Sequence, residues 1–353
     1  MNFMRSLLSR DRDLSVLVLM TTAVTVTLIL TLGERLFSPT GLQSMSVQVS
    51  EFGFLALAMA IAMLTGGIDL SIVAAAALSG IMASLVMSGK FIPVTADNAN
   101  FLMVLGILAA LVTGLLCGLL NGFLIAKISV PPILATLGTM ILFTGIGMAI
   151  TTGESVAVLV PAFATISTSA VANIPLIFLM MIAAFLIMAF VLGRTRFGRK
   201  VYLFGTNEVA LRFAGAKTER VIIMSYAVIG ILVGLAGIIM TSRANSMRVG
   251  FGEAYLLQSI LVVVLAGFSP LGGKGRVWSL PVALLLLQLL QTAFTALMFS
   301  PYAKNFVWGG MLLLIMIINH YVDAWRPRSA PKKSDGSDGN PLKSSVRDTG
   351  VVV

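Results

Sequence analysis

Charged residues are scarce in this sequence: Asp, Glu, Lys and Arg together make up 11% of its 353 residues. A soluble domain usually carries about 25% charge, so the composition excludes an ordinary water-soluble enzyme. The single cysteine, Cys117, excludes a disulfide framework and a cysteine metal site, and the single histidine, His320, excludes a histidine metal cluster. We therefore expect no catalytic residue, no metal and no cofactor, and we predict that the chain is not an enzyme.

Apolar residues are abundant instead, at 58% of the chain, and they fall into about ten stretches without charge. Most stretches approach the ~20 residues that a helix needs to cross a bilayer. The sequence therefore predicts an all-α, polytopic membrane protein with about ten transmembrane helices. The predicted spans are Leu14–Leu32, Phe52–Leu64, Leu70–Met87, Phe101–Ala126, Pro132–Ile150, Ile174–Leu192, Val221–Thr241, Ala254–Ala266, Trp278–Met298 and Phe306–Tyr321.

The basic residues indicate the orientation of these spans. With the N-terminus in the cytoplasm, 19 of the 24 Lys and Arg residues fall on the cytoplasmic side, as the positive-inside rule requires. The net charge of +10 is thus explained by topology and not by nucleic-acid binding. We predict a transmembrane domain over residues 1–322 with a cytoplasmic loop at about 194–220. Residues 323–353, rich in Ser, Gly and Pro, are expected to form a disordered cytoplasmic tail.

Two short spans end in glycine-rich breaks, and both breaks admit two interpretations. They could be unwound backbone along a transport path, or tight turns at the cytoplasmic surface. Asp69 could contact ligand, but we favour a structural role in which it caps the helix that starts near Leu70. The structural residues predicted for the breaks are Gly66, Gly67, Asp69, Ser71, Gly272 and Gly273.

Polar residues inside the spans are the candidates for the substrate path. A threonine on a helix can bond its own i−4 carbonyl, whereas a buried glutamine cannot do so easily, so the glutamines are the sharper candidates. The predicted path residues are Asn121, Thr136, Thr139, Gln258, Ser259, Gln288 and Gln291. Glycines at four-residue spacing, Gly114, Gly118 and Gly122 in one span and Gly230 and Gly234 in another, are predicted to let helices pack closely.

The loop at 194–220 contains the signature of a short helix. Asn207 is a good N-cap, Glu208 suits the first turn, and Gly215 is a good stop. Val209, Leu211 and Phe213 would give this helix apolar surface outside the membrane. The helix would be marginal alone, so either its own bundle or a cytoplasmic partner should cover it.

Four segments occur along the chain in the order Gly66–Ser71, Leu120–Met140, Phe197–Lys217 and Ser259–Arg276. Together they resemble the permease subunits of bacterial ABC importers for ribose, xylose, arabinose, galactofuranose and autoinducer-2. The resemblance covers about residues 50–320. The chain departs from the family pattern at Ala58, at Ile72-Val73, at Ala266-Gly267 and at Ser269-Pro270, and the sugar is left unassigned.

The resemblance implies a ten-span permease of the type II importer kind in the inner membrane, working as a dimer of identical or paralogous copies. A cytoplasmic ATPase subunit would dock on the loop, and a periplasmic sugar-binding protein would deliver a monosaccharide or small polyol. The residues implied for coupling to the ATPase are Gly205, Asn207, Glu208, Ala210, Arg212 and Gly215.

Two other functions compete with this interpretation. An ion-coupled secondary transporter would need ionisable residues in its spans, and by sequence only Asp69 comes close. An intramembrane enzyme would need a convergent acid–base or metal set, which the sequence does not offer.

Overall fold

The computed structural model describes residues 12–325 and is mostly helical. The chain divides into two compact units, residues 1–315 and 316–353, and the packing discussed below lies in the first. The helices are α1 (Arg12–Leu36), α2 (Pro39–Leu64), α3 (Ile72–Met87), α4 (Ala99–Ala126), α5 (Pro132–Thr151), α6 (Pro161–Thr168), α7 (Leu176–Arg194), α8 (Arg196–Thr206), α9 (Glu208–Phe213), α10 (Thr218–Ala244), α11 (Ala254–Leu265), α12 (Leu280–Ala296) and α13 (Pro301–Trp325).

Seven helices of the described part, namely α1, α2, α4, α5, α7, α10 and α12, are long and apolar enough to cross a bilayer. The apolar helices α3 and α11 and the apolar part of α13 are shorter. The chain is therefore a multi-pass helical membrane protein. The all-α prediction needs one small correction, because two pairs of two-residue strands are present: β1 (Val156–Ala157) with β4 (Ser246–Met247), and β2 (Ala170–Val171) with β3 (Ile174–Pro175).

The second helix is much longer than the sequence suggested. Ser38 caps it and Pro39 opens it, and α2 then runs for 26 residues, so the predicted short span Phe52–Leu64 was wrong. Polar residues such as Gln43, Gln48 and Glu51 interrupt the apolar run in the sequence, although they continue the helix. At the predicted short span Ala254–Ala266 the structure has the 12-residue apolar helix α11.

Helices α4 and α10 approach each other through glycines, as the four-residue spacing predicted. A Cβ atom at Gly114 would lie 2.7 Å from the backbone nitrogen of Gly234, and one at Gly118 would lie 2.8 Å from the Cα of Gly230. Such distances leave no room for a side chain, so the two backbones pack directly.

The two ends of the bundle differ. Helix α10 starts at Thr218, beside the segment of α8 and α9, and we name this the loop end. It finishes at Ala244, where β1 pairs with β4, and we name this the strand end. Helix α8 was not predicted from the sequence, where only the helix after Asn207 was recognised. At the C-terminus α13 reaches Trp325, and the predicted tail beyond it lies outside the described residues.

Candidate functional site

The short helix α9 forms as its capping residues predict. The Asn207 Oδ1 atom accepts a hydrogen bond of 2.9 Å from the Ala210 amide, and Glu208 pairs with Arg212 at 2.7 Å. Gly215 has a φ of +78°, which an L side chain rarely adopts, and the Ala216 amide returns to the Leu211 carbonyl at 3.3 Å. The predictions of Asn207 as N-cap and of Gly215 as stop are confirmed.

Helix α9 exposes apolar side chains outside the membrane spans. Phe213 is 89% exposed and Val209 is 63% exposed, whereas Leu211 is buried at 6%. The helix bundle of the chain itself therefore covers Leu211, whereas Val209 and Phe213 stay uncovered. A six-residue helix with an uncovered apolar face gains stability from a partner, because packing stabilises short helices more than propensity does.

The two glycine-rich breaks meet each other and the end of α8. We name Gly66, Gly205, Gly272 and Gly273 the glycine junction. The Gly273 amide donates to the Leu64 carbonyl at 3.0 Å. A Cβ atom at Gly272 would lie 2.7 Å from the Gly205 oxygen and 2.9 Å from the Gly66 Cα. Three backbone segments thus touch where any side chain would separate them.

The glycine junction connects directly to the short helix. A Cβ atom at Gly273 would overlap Thr206, which is followed by the N-cap Asn207. The Tyr202 hydroxyl of α8 donates to the Gly275 carbonyl at 3.0 Å. Burial raises the pKa of Tyr202, so this phenol stays protonated and remains a donor. The end of α8, next to the N-cap of α9, is therefore in direct backbone contact with the second break.

Asp69 belongs to a hydrogen-bonded cluster that joins the first break to α4 and α5. Its Oδ1 atom accepts from the Ser71 amide at 2.9 Å and from the Ser71 hydroxyl at 2.7 Å. The Asn121 amide donates to the Ser71 Oγ at 2.8 Å, and Thr139 donates to the Asn121 Oδ1 at 2.7 Å. The helix begins at Ile72, so the predicted cap is corrected: Asp69 binds the N-cap residue and not the first turn.

This Asp69 cluster leaves little room for a ligand. The cavity beside it measures only about 10 Å³, about the space of one water molecule. Thr136 bonds its i−4 carbonyl, that of Pro132, at 2.8 Å and also approaches the Ile68 carbonyl at 3.2 Å. Since these polar groups satisfy one another, their geometry fits a structural role better than substrate contact.

A second polar cluster joins α2, α11 and α12. The Gln258 amide donates to the Gln291 Oε1 at 3.0 Å, and the Gln288 amide donates to the Gln48 Oε1 at 3.2 Å. The Tyr255 hydroxyl donates to the Glu51 Oε2 at 2.5 Å, and Arg243 forms an ion pair with the same oxygen. We name six of these residues the polar ring: Gln48, Glu51, Tyr255, Gln258, Gln288 and Gln291.

The polar ring is incompletely satisfied. Within the described part of the chain, Glu51 Oε1, Gln258 Oε1 and Gln288 Oε1 are buried without a hydrogen-bond partner, and so is the neighbouring Ser259 Oγ. Each unpaired buried group costs about 1–3 kcal/mol. Four such groups lie in or beside the polar ring.

The predicted path residues therefore fall into two separate groups. Asn121, Thr136 and Thr139 belong with Asp69, whereas Gln258, Gln288 and Gln291 belong to the polar ring. Sequence reasoning missed Glu51, which it placed outside a span. The spacing of three between Gln48 and Glu51, between Tyr255 and Gln258, and between Gln288 and Gln291 was the available signal, because such pairs share a helix face.

A larger cavity of about 350 Å³ lies between α3, α5 and residues 249–256. Thr144 and Glu253 are its polar lining residues, and the others are apolar or glycine. The Thr144 hydroxyl already bonds the Met140 carbonyl at 2.8 Å. The wall of this cavity therefore offers few free hydrogen-bonding groups to a hydroxyl-rich ligand.

Comparison with known proteins gives a consistent result. Residues 41–316 match the family described as "Branched-chain amino acid transport system / permease component". The ribose import permease protein RbsC of Bacillus subtilis (strain 168) is 34% identical over 299 residues, covering 84% of this chain and 89% of that protein. The L-arabinose transport system permease protein AraH of Escherichia coli (strain K12) is 29% identical, covering 79% and 82%.

A third relative is the autoinducer 2 import system permease protein LsrC of Photorhabdus luminescens, 28% identical, with 83% of this chain and 84% of that protein covered. No solved structure matches the chain.

Proposed function

We propose that the chain is the permease subunit of an ABC importer, because it belongs to the family of branched-chain amino acid transport system permease components. Together with the ribose and arabinose permeases among its relatives, this membership confirms the resemblance to sugar ABC permeases. As a permease component it is not an enzyme. The proposed cargo is a monosaccharide or related small polyol, carried across the inner membrane. The names of the relatives support sugar cargo.

The observation that carries the proposal is the exposed helix α9 on the glycine junction. In the proposed mechanism a separate ATPase subunit binds Val209 and Phe213, and its ATP-driven movement displaces α9. The close backbone contacts at Gly205 and Gly272 pass this displacement to both breaks, and α2 and α11 open or close the path. In this mechanism α9 is kept folded and exposed to the ATPase subunit by Asn207, Glu208, Ala210, Arg212 and Gly215.

The remaining partners and the topology follow from the same proposal. The loop end faces the cytoplasm together with both termini, and the strand end faces the periplasm, where a sugar-binding protein delivers the cargo. The seven long helices together with α3, α11 and α13 would give about ten crossings. A second permease, identical or paralogous, completes the transporter.

An ion-coupled secondary transporter is the alternative, and Glu51 is the residue that would favour it. Glu51 is buried at 1% in the middle of α2, where an ionisable side chain could carry a proton. Its carboxylate is however paired with Arg243 and accepts a hydrogen bond from Tyr255. Both contacts occupy the carboxylate with partners inside the chain, so we do not favour ion coupling through this residue.

Purification from the native membrane followed by reconstitution tests the proposal. We expect an ATPase subunit to co-purify, and we expect uptake of a pentose or polyol into vesicles to require ATP, the binding protein and that subunit. A non-hydrolysable ATP analogue is the matched control and should abolish uptake. Uptake driven by a proton or sodium gradient through this chain alone would overturn the proposal.

A further inference from the structure

We propose that the polar ring binds the transported polyol within a single permease subunit. This inference rests on the proposed function and adds to it the place and the chemistry of ligand binding. It concerns Gln48, Glu51, Tyr255, Gln258, Gln288 and Gln291, of which Gln48, Glu51 and Tyr255 were not among the residues that the sequence indicated.

The geometry of the ring is that of a site shared by three helices. Each helix contributes two polar residues spaced by three, which therefore lie on one face. Each helix pair is joined by one hydrogen bond: α2 to α12 through Gln48 and Gln288, α12 to α11 through Gln291 and Gln258, and α11 to α2 through Tyr255 and Glu51. The six side chains thus link the three helices in pairs.

The hydrogen-bonding capacity of the ring is unbalanced. The amide of Gln258 is used by Gln291, and the amide of Gln288 is shared between Gln48 and Thr292. The acceptors Glu51 Oε1, Gln258 Oε1 and Gln288 Oε1 find no donor among the described residues, although their residues are at least 97% buried. These three acceptors are therefore open to a molecule that donates hydrogen bonds.

The charge at the polar ring determines which kind of hydrogen-bond donor can bind there. The Glu51 carboxylate is already paired with the Arg243 guanidinium, so the ring carries no net charge to attract a cation. A metal ion here would also lie close to a guanidinium in a poorly screened environment. Hydroxyl groups donate without charge, and a polyol carries several of them at the spacing of one small molecule.

Three residues of the ring and its partner Arg243 are partly exposed. Gln48, Tyr255 and Gln291 are half-buried, and the Arg243 side chain is 40% exposed near the end of α10. Glu51 is the thirteenth of the 26 residues of α2, so the ring reaches the middle of that helix. A polyol admitted at the strand end would meet the ring before it reaches the glycine junction at the loop end.

Cysteine labelling during transport tests this inference. The background is Cys117→Ala, because Cys117 is the single cysteine of the sequence. Gln288→Cys and Gln258→Cys place a thiol in the ring, and Leu289→Cys is the matched control, equally buried at 2% but inside an apolar cluster. The complete transporter is treated with a small water-soluble methanethiosulfonate during ATP-driven turnover, with and without D-ribose, L-arabinose or xylitol.

We expect both ring cysteines to be labelled, the Leu289→Cys control to stay unlabelled, and the transported sugar to slow the labelling. At ten times its dissociation constant the sugar should slow the reaction about tenfold by simple occupancy. If uptake proceeds while the ring cysteines stay unlabelled, or react equally with and without sugar, the ring is not the site although the proposed function stands. If none of the polyols is taken up despite a bound ATPase, the proposed cargo is wrong.

Discussion

Gly205→Ala separates the contribution of the glycine junction from ordinary helix propensity. Gly205 lies near the end of α8, and replacing a helical glycine by alanine normally stabilises a helix by about 0.5–1 kcal/mol. At this position we expect the opposite sign. The added Cβ atom would overlap the Leu64 carbonyl oxygen and would lie 3.0 Å from the Gly272 carbonyl carbon.

The expected loss of stability follows from the backbone groups that the new Cβ atom would displace. Overpacking costs typically about 1–3 kcal/mol, and loss of the hydrogen bond from the Gly273 amide to the Leu64 carbonyl adds about 1 kcal/mol. After subtraction of the gain in helix propensity, the closed junction should be weakened by about 1–3 kcal/mol. Its population relative to an open form would fall roughly 5- to 150-fold.

The assay compares Gly205→Ala with Gly193→Ala, a glycine of α7 that no described atom would approach within 4 Å of a new Cβ. ATP-driven uptake, ATPase stimulation and the unfolding temperature in detergent are measured for both. We expect Gly193→Ala to behave like the parent protein and Gly205→Ala to lose uptake and unfold at a lower temperature. Equal uptake and equal unfolding temperatures for the two variants would refute the direct backbone contact and the coupling route built on it.

Three further substitutions test other parts of the account. Asn207→Ala should destabilise α9 by about 1 kcal/mol and reduce uptake without lowering the unfolding temperature of the bundle. Asn207→Asp should preserve the stability of α9 and the uptake. Unimpaired uptake in the alanine variant would contradict the capping argument. Gly118→Leu should drive α4 and α10 apart and abolish the monodisperse peak in size-exclusion chromatography. Gly138→Leu, which has open space around its Cβ atom, should keep this peak. Two similar elution profiles would contradict the glycine packing. Asp69→Ala should cost about 1–3 kcal/mol of stability in thermal unfolding, and Asp69→Asn should recover most of it by keeping an acceptor for Ser71; equal losses would show that charge and not hydrogen bonding matters.

Local patterns in the sequence predicted the features that depend on neighbouring residues. Apolar runs predicted where helices occur, Asn207 and Gly215 predicted the limits of α9, and the glycine spacing in α4 predicted close packing. Each of these signals arises from residues a few positions apart, so a linear sequence displays it directly.

Features that depend on distant residues could not be predicted in the same way. The start of α2 was missed because polar residues that face the polar ring look like a break in an apolar span. The glycine junction joins Gly66, Gly205 and Gly272, and nothing in the sequence shows that these segments meet. Glu51 was overlooked for a related reason, since its partners Arg243 and Tyr255 lie about two hundred positions away.

The location and partner of α9 give the most direct test of the central claim, which is that energy for transport arrives mechanically through this helix. Val209→Cys in the Cys117→Ala background places a single thiol on an exposed position of α9. We predict that a membrane-impermeant maleimide fails to label it in intact cells, labels it once the membrane is permeabilised, and is blocked when the ATPase subunit is bound. Labelling of intact cells, or labelling that the bound ATPase subunit does not change, would contradict the account.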